Sequence, residues 1–410
     1  MAGLLPIDAA IDIVLAATRP LSVETVGLLE ALGRTAGEDV VSHAQVPPFD
    51  NSAMDGYAVD GAALAVGRTT FRVTVEIPAG RYVGEPVGPG AAAKIMTGAP
   101  LPPGVDTVVP VELTRPDGAE VRVLEPVEPG ANVRGAGEDV AVGDVVIPRG
   151  ARLGPAEIGL LASLGVEQVT VARRPRVAVL ATGSELVPPG QPVGPGQIRD
   201  SNSFTAFGQV REAGGEPVML GIARDEPEET RRLVAAALEA DVVITSGGVS
   251  VGEFDFVKQV QEELGVERRF WGVKTKPGKP LAFGARGRTL VFGVPGNPVA
   301  AMVSFELYIR PALLALQGRT AIYRPYVVAA SAEPVTGTKE RTEVRRCRLE
   351  RGNDGWTFTT TGPQGSGILR SMVLADGLAF VPAGYPGGAA GERFLVQLLD
   401  GSRPERPPYP

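Results

Sequence analysis

The sequence predicts a multidomain α/β plus β protein, and three observations carry that expectation. Between residues 177 and 317, short apolar runs rich in Val and Ile alternate with longer helical patterns, as in a doubly wound parallel sheet. From about residue 37 to 150 the texture changes to β-branched runs separated by Pro and Gly turns, which predicts a β-rich module. From about 322 onwards short strands and turns recur, which predicts a small all-β, barrel-like domain at the C-terminal end.

Taken in order, residues 6–17 have helical spacing, with Pro6 suited to a first turn. Residues 22–32 are read as a second helix, capped by Ser22 and ended by Gly33. In the β-rich module, strands are expected at 71–77, 107–111, 121–124 and 145–147. A helix at 155–164 and a strand at 166–171 lead through Arg173-Arg174-Pro175 into the α/β region. There, strands are expected at 177–180, 217–222, 241–245, 268–275 and 289–292. Helices are expected at 203–213, 227–240, 253–264 and 299–317. The tail has strand patterns at 345–349, 357–361 and 394–398, and its last residues, RPERPPYP, are expected to be disordered.

Composition narrows the chemistry. A net charge of −7 over 410 residues argues against general nucleic-acid binding, so an anionic ligand needs a local positive pocket. The single cysteine, Cys347, excludes an internal disulfide and a cysteine-based metal centre. The single histidine, His43, leaves one candidate base for a Ser-His pair, and its position at a strand end favours a surface role. With no basic leader and no apolar run near the length of a membrane span, the expectation is a cytoplasmic protein without membrane contact.

The chain has 40 Lys+Arg but only six lysines, and Lys274, Lys276 and Lys279 are three of them. A sequence that elsewhere uses arginine keeps the compact ammonium in Lys276-Pro277-Gly278-Lys279-Pro280, where two such groups can converge on one anion. Just upstream, a strand ends in Ser246-Gly247-Gly248 before a helix, which suits a phosphate or a polar pterin ring. Ligands of such sheets bind beyond the strands' carboxyl ends, where Glu185, Asp225 and Pro295–Pro298, with Asn297 between, should also gather. Acids beside bound phosphate need a cation between them, so Glu185, Asp225 and Asp255 are candidate Mg²⁺ ligands. Two further loops, 47–59 with Asp50, Asn51, Ser52 and Asp55, and 94–104 with Lys94 and Thr97, hold more polar groups than turns need. No GxxxxGK[ST] segment supports nucleotide hydrolysis of the P-loop kind.

In order along the chain, FDNSAMDGYA, MTGAP, GED, TGSEL, TSGGVSVGEFD, KPGKP and PGNP resemble the molybdopterin molybdenumtransferase family. These are the bacterial MoeA proteins and the E domains of gephyrin and its plant counterpart. The resemblance implies insertion of molybdate into adenylylated molybdopterin with Mg²⁺-assisted release of AMP. It implies four domains: a linking domain from 1–36 and 140–172, the β-rich module 37–139, the α/β domain 173–320 and the β domain 321–403. It also implies a homodimer whose sites are shared between the α/β domain of one subunit and the β-rich module of its mate.

By motif, Asp55, Thr97, Asp139, Glu185, Asp225, Asp255, Lys276 and Lys279 carry over as catalytic residues. Ser246, Gly247, Gly248, Pro295, Asn297, Pro298, Arg346 and Ser366 carry over as substrate-binding residues, with Arg345 a rival to Arg346. Ala300 and Gly367 depart from the serine and histidine that family members carry there. Expected partners are molybdopterin adenylyltransferase and molybdoenzyme maturation proteins. The rival functions are adenylylation of molybdopterin itself, disfavoured by the transferase-type motifs on both flanks, and a scaffold of the gephyrin E-domain type.

Overall fold

The structure, a computed structural model, describes residues 3–224, 226–247, 256–401 and 406–409. At its centre is a six-stranded sheet in the order Glu216–Ala223, Arg176–Thr182, Val242–Ser246, Thr289–Val294, Ala282–Arg286, Glu267–Trp271. The first four strands are parallel, as the alternating pattern predicts. Ala282–Arg286 is antiparallel to both its neighbours, which corrects the expectation of a purely parallel sheet, and Glu267–Trp271 at the edge again runs with the first four. The cause is local: the strand expected through 275 stops at Gly272 (φ 88°), and Gly287 (φ 58°) turns the returning chain into a hairpin.

Side-chain alternation covers both faces of the sheet. Val177, Ile244, Leu290 and Phe292 pack on one face against the helical run Pro298–Leu316. Ala178, Leu180, Val243 and Val291 pack on the other, against Leu233, Val234 and Ala237 of helix Pro227–Ala237. The first helix, Ile7–Ala17, buries Ile7, Ala10, Ile11 and Val14 in the same cluster as the 298–316 run. That run is 19 residues long and apolar enough to cross a membrane, but 89% of its apolar window is buried inside the protein. Its middle turn, Phe305–Ile309, is π-helical, with the Arg310 N–H bonding to the Phe305 carbonyl, and Pro311 follows with no N–H to offer.

The helix expected over 22–32 is instead a strand, Val23–Gly27, antiparallel to Gln168–Ala172. The β-branched Val23, Thr25 and Val26 favour the pleated form, and pairing with a partner far along the chain overrides the weak helical pattern. The β-rich module has its own six-stranded sheet. In the C-terminal region Thr342–Gly352, Gly355–Thr360, Tyr326–Ser331, Arg393–Leu398 and Gly377–Val381 pair in turn, and the last returns to the first, closing a five-stranded barrel.

Residues 406–409 correct the expected disordered end. The Arg406 guanidinium donates to Asp12 at 2.5 Å and to the Tyr323 hydroxyl at 3.2 Å. The Tyr409 ring lies 5.1 Å from Phe380, and its hydroxyl donates to Gln397 at 2.9 Å. The end of the chain thus straps the barrel to the first helix.

One ion pair is wholly internal. Arg324 and Glu306, each 5% exposed, meet at 2.9 Å, and Arg324 also reaches Glu212 at 2.7 Å. Gln209 donates to the other Glu306 oxygen at 3.1 Å. Arg324→Met strands the Glu306 carboxylate and is expected to cost about 3–5 kcal/mol in urea unfolding. Adding Glu306→Gln should restore much of the loss.

Candidate active site at the strand ends

The carboxyl ends of the three central parallel strands are stitched together. The Thr182 hydroxyl donates to the Ser246 carbonyl at 3.1 Å, and the Gly247 N–H to the Val294 carbonyl at 3.2 Å. Gly247 has φ 87°, and a Cβ there would lie 2.6 Å from the Thr182 carbonyl oxygen, so only glycine fits. Asn202 donates to the Gly296 carbonyl at 2.8 Å, which brings the Asp200-Ser201-Asn202 segment to the same place. Ser246 and Pro295 are buried, Pro298 is half-buried, and Asn297 is exposed at the helix N-cap. The turn is therefore built as the sequence predicts, up to Gly247; Gly248, Asp225 and Asp255 lie outside the described residues.

Glu185 is exposed at the end of strand Arg176–Thr182. Its carboxylate folds back over Gly183 (φ 144°), where a Cβ would come within 2.4 Å of it. Among the described residues no cation pairs with Glu185, and no group of three or more His, Cys, Asp or Glu side chains gathers as a metal site. Beside these strand ends opens a cleft of about 910 Å³, lined by Leu186, Asp200, Ser203, Phe204, Ile222 and Arg224 among others.

The lysine loop is fixed by its backbone. The Gly272 N–H donates to Leu281 at 2.8 Å and the Val273 N–H to Lys279 at 3.0 Å. Gly278 (φ 105°) sits so close to the buried Thr275 and Ser304 that a Cβ would be 3.2 Å from each hydroxyl. The loop is thereby held on the first turns of helix Pro298–Ser304. Lys279 is exposed and has no ion-pair partner among the described residues. Lys276 differs: its ammonium lies 3.0 Å from the Glu343 carboxylate.

The barrel contributes a third loop. The Ser366 carbonyl accepts the Val299 N–H at 3.1 Å, so the Gly-Ser loop rests on the N-terminus of the same helix. Arg346, expected to bind substrate, is 1% exposed and serves as a brace. Its guanidinium donates to Ser371 at 3.0 Å, Gly365 at 3.2 Å and Val344 at 3.4 Å. Burial pushes its pKa down to about 10. Strand alternation explains the outcome: Val344 and Arg346 face the helical layer, and Cys347 faces the barrel interior. Arg345 is largely buried too, bonded to Glu343 and Thr336.

The polar loops of the β-rich module form a separate cluster. One Asp55 oxygen accepts the Thr97 N–H at 2.7 Å and the Thr97 hydroxyl at 2.8 Å. These two bonds, the backbone one foremost, hold the Asp55 carboxyl below the usual carboxylate range. Strand Asn51–Ser52 pairs with Val133–Arg134, and Asp50 accepts the Ala136 N–H at 2.7 Å. Asp139 is exposed on that loop, its own N–H bonded to the Val46 carbonyl at 2.9 Å. Among the described residues, no hydrogen bond or ion pair links this cluster to the strand-end site. His43 is exposed, just past strand Val40–Val41.

Known proteins match this arrangement along its length. Residues 5–165 match the MoeA N-terminal region (domain I and II), residues 178–315 a probable molybdopterin binding domain, and residues 328–399 the MoeA C-terminal region (domain IV). Molybdopterin molybdenumtransferase of Haemophilus influenzae is 43% identical over 386 residues, 92% of this chain and 94% of that protein. The chain belongs to the molybdopterin molybdenumtransferase family. Molybdopterin molybdenumtransferase 2 of Mycobacterium tuberculosis is 39% identical over 392 residues, 93% of this chain and 95% of its own. A molybdopterin biosynthesis moeA protein of Pyrococcus horikoshii OT3 superposes with a TM-score of 0.83 at 30% identity, over 97% of this chain and all 100% of that one. The molybdenumtransferases are enzymes of molybdenum cofactor biosynthesis.

Two residues at or near these sites were not among the sequence candidates. Glu343 carried no signal, since its partner lies far away in the chain. Asn202 could have been found from the Asp-Ser-Asn run ahead of a helix. Replacing Thr97 with Val removes one of the two bonds to Asp55 and is expected to raise that carboxyl's pKa toward the ordinary value, read by carbon NMR titration of the side chain.

Proposed function

We propose that this chain inserts molybdate into adenylylated molybdopterin and releases AMP, and that the strand-end site of one subunit works with the Asp55–Thr97–Asp139 loops of a second copy. The observation that carries the first part is the convergence on one helix N-terminus. The Ser366 loop and the strand ends at 246–247 and 294–298 meet there, and Gly278 of the lysine loop packs further along the same helix, against Ser304. Such a terminus favours negative charge, and Lys279 adds an open ammonium with three donors. Molybdate, the substrate oxyanion, is held by Lys279 together with Lys276, and the pterin end with its phosphate lies along the turn at Ser246-Gly247.

Glu185 is suited to hold Mg²⁺ as a hard oxygen donor with no ion-pair partner among the described residues, alongside Asp225 and Asp255. When bound, Mg²⁺ neutralises phosphoanhydride charge during hydrolysis. Within that site Glu185 positions the water, Lys279 and the helix N-terminus steady the oxyanion, and Ser246 and Gly247 orient the pterin phosphate. Asp55, held ionised by Thr97, acts from the facing module. Support for the shared arrangement is that both clusters are polar and exposed, yet among the described residues no bond joins them within one chain. The reading is of a cytoplasmic homodimer; the adenylyltransferase alternative has no use for the N- and C-terminal regions that match here.

With adenylylated molybdopterin and Mg²⁺ supplied, AMP release is expected to depend on molybdate. Release that ignores molybdate, or consumption of ATP with free molybdopterin, would sink the proposal. Lys279→Ala should weaken molybdate binding by roughly tenfold or more with little change in melting temperature, as expected for loss of a ligand-facing ammonium. Asp55→Asn and Lys279→Ala proteins, each inactive alone, should regain about a quarter of wild-type activity when subunits are mixed, since half the dimers then hold one intact site.

A further inference from the structure

Strand Thr275–Lys276 pairs in parallel with Thr342–Glu343, which sets Lys276 and Glu343 side by side. The Lys276 ammonium lies 3.0 Å from one Glu343 oxygen, and Arg345 donates to the other at 3.1 Å. Arg345 is itself bonded to the Thr336 carbonyl. The Glu343 and Arg345 side chains are 11% and 12% exposed, whereas that of Lys276 is 46% exposed. The carboxylate is therefore fixed from behind by a buried guanidinium, and the lysine is the mobile member of the trio.

We propose that Glu343 is an internal counter-anion that occupies Lys276 until a substrate oxyanion takes its place, and that it thereby sets the loop's affinity for tetrahedral dianions. The inference rests on the reading of Lys276 as an oxyanion ligand given above. Exchange is inexpensive because Glu343 keeps Arg345 when Lys276 swings away, so no buried charge is stranded. It also holds off monoanions. A carboxylate or other monoanion gains at Lys276 only what Glu343 gives up, while a dianion gains about twice the Coulomb attraction at equal distance. Without Glu343, monoanions and dianions would both bind the loop carrying Lys274, Lys276 and Lys279 more tightly, and weak monoanions would no longer be held off.

The test is calorimetric titration of molybdate into the full chain as wild type, Glu343→Gln, Lys276→Ala and the double variant. Glu343→Gln is isosteric and its amide oxygen still accepts from Arg345. It is expected to bind molybdate roughly three- to fivefold tighter, the range for a half-exposed ion pair. In the Lys276→Ala background the gain should vanish. An unchanged or weaker affinity in Glu343→Gln, or a gain that persists without Lys276, overturns the proposal. Glu343→Asp, too short to keep both partners, should tighten binding likewise and serves if the Gln variant does not fold. Wild-type protein that binds no molybdate would overturn the oxyanion reading and this inference together. Molybdate-dependent AMP release with unaltered Glu343→Gln affinity would overturn the role of Glu343 alone.

Discussion

The helical run Pro298–Leu316 is the element on which the remaining architecture depends. It is apolar nearly all round because it is surrounded: the central sheet, the first helix and the barrel residues Val344, Met372, Leu378 and Phe380 all share its cluster. Its N-terminus receives the Ser366 carbonyl at Val299, and its early turns receive Gly278 of the lysine loop. Its π turn presents Glu306 to Arg324, the residue leading into the barrel. At its far end the Leu316 carbonyl accepts the Leu21 N–H at 2.8 Å. A single rigid rod thus fixes the Ser366 loop and the lysine loop relative to each other, where positioning matters for oxyanion chemistry.

Charge is distributed with similar economy. An acidic protein that handles anions has to confine its positive potential, and here the confinement is local. Arg324 and Arg346 are consumed inside the fold, where burial makes an unpaired charge costly, so each is surrounded by acceptors. Arg173 forms a bidentate pair with Asp241 at 2.8 and 2.9 Å. Three exposed lysines gather in the 274–279 loop, where a compact, hydrated ammonium can exchange partners at little cost.

Much of this was legible in the chain itself. Val and Ile alternation between Arg176 and Val294 marked the central strands, because burial on both faces leaves a nearly continuous apolar signature. The turn at Ser246-Gly247 and the polar loop holding Asp55 were visible because positive-φ glycine and clustered carboxylates are local requirements. Val23–Gly27 was misread as helix because its pairing partner, Gln168–Ala172, lies far downstream. The hairpin return at 282–286 was missed for a related reason, since a short apolar strand carries no mark of its direction. Arg406 and Tyr409 looked like a polar tail, and only Asp12, Tyr323 and Phe380, brought close by folding, hold them in place.

The amino-acid sequence by itself determined most of the central strands and helices, though not the strand Val23–Gly27, and also which loops carry acids, lysines and obligatory glycines and which family the chain joins. These depend on residue type and short-range spacing. The tertiary structure alone decided what each charged side chain touches. Arg346 is an internal brace because its strand turns that face toward the helical layer, and Lys276 meets Glu343 because two distant strands pair in register. Both outcomes depend on non-local pairing, where a one-residue shift in register would exchange the faces, and no local pattern specifies that choice.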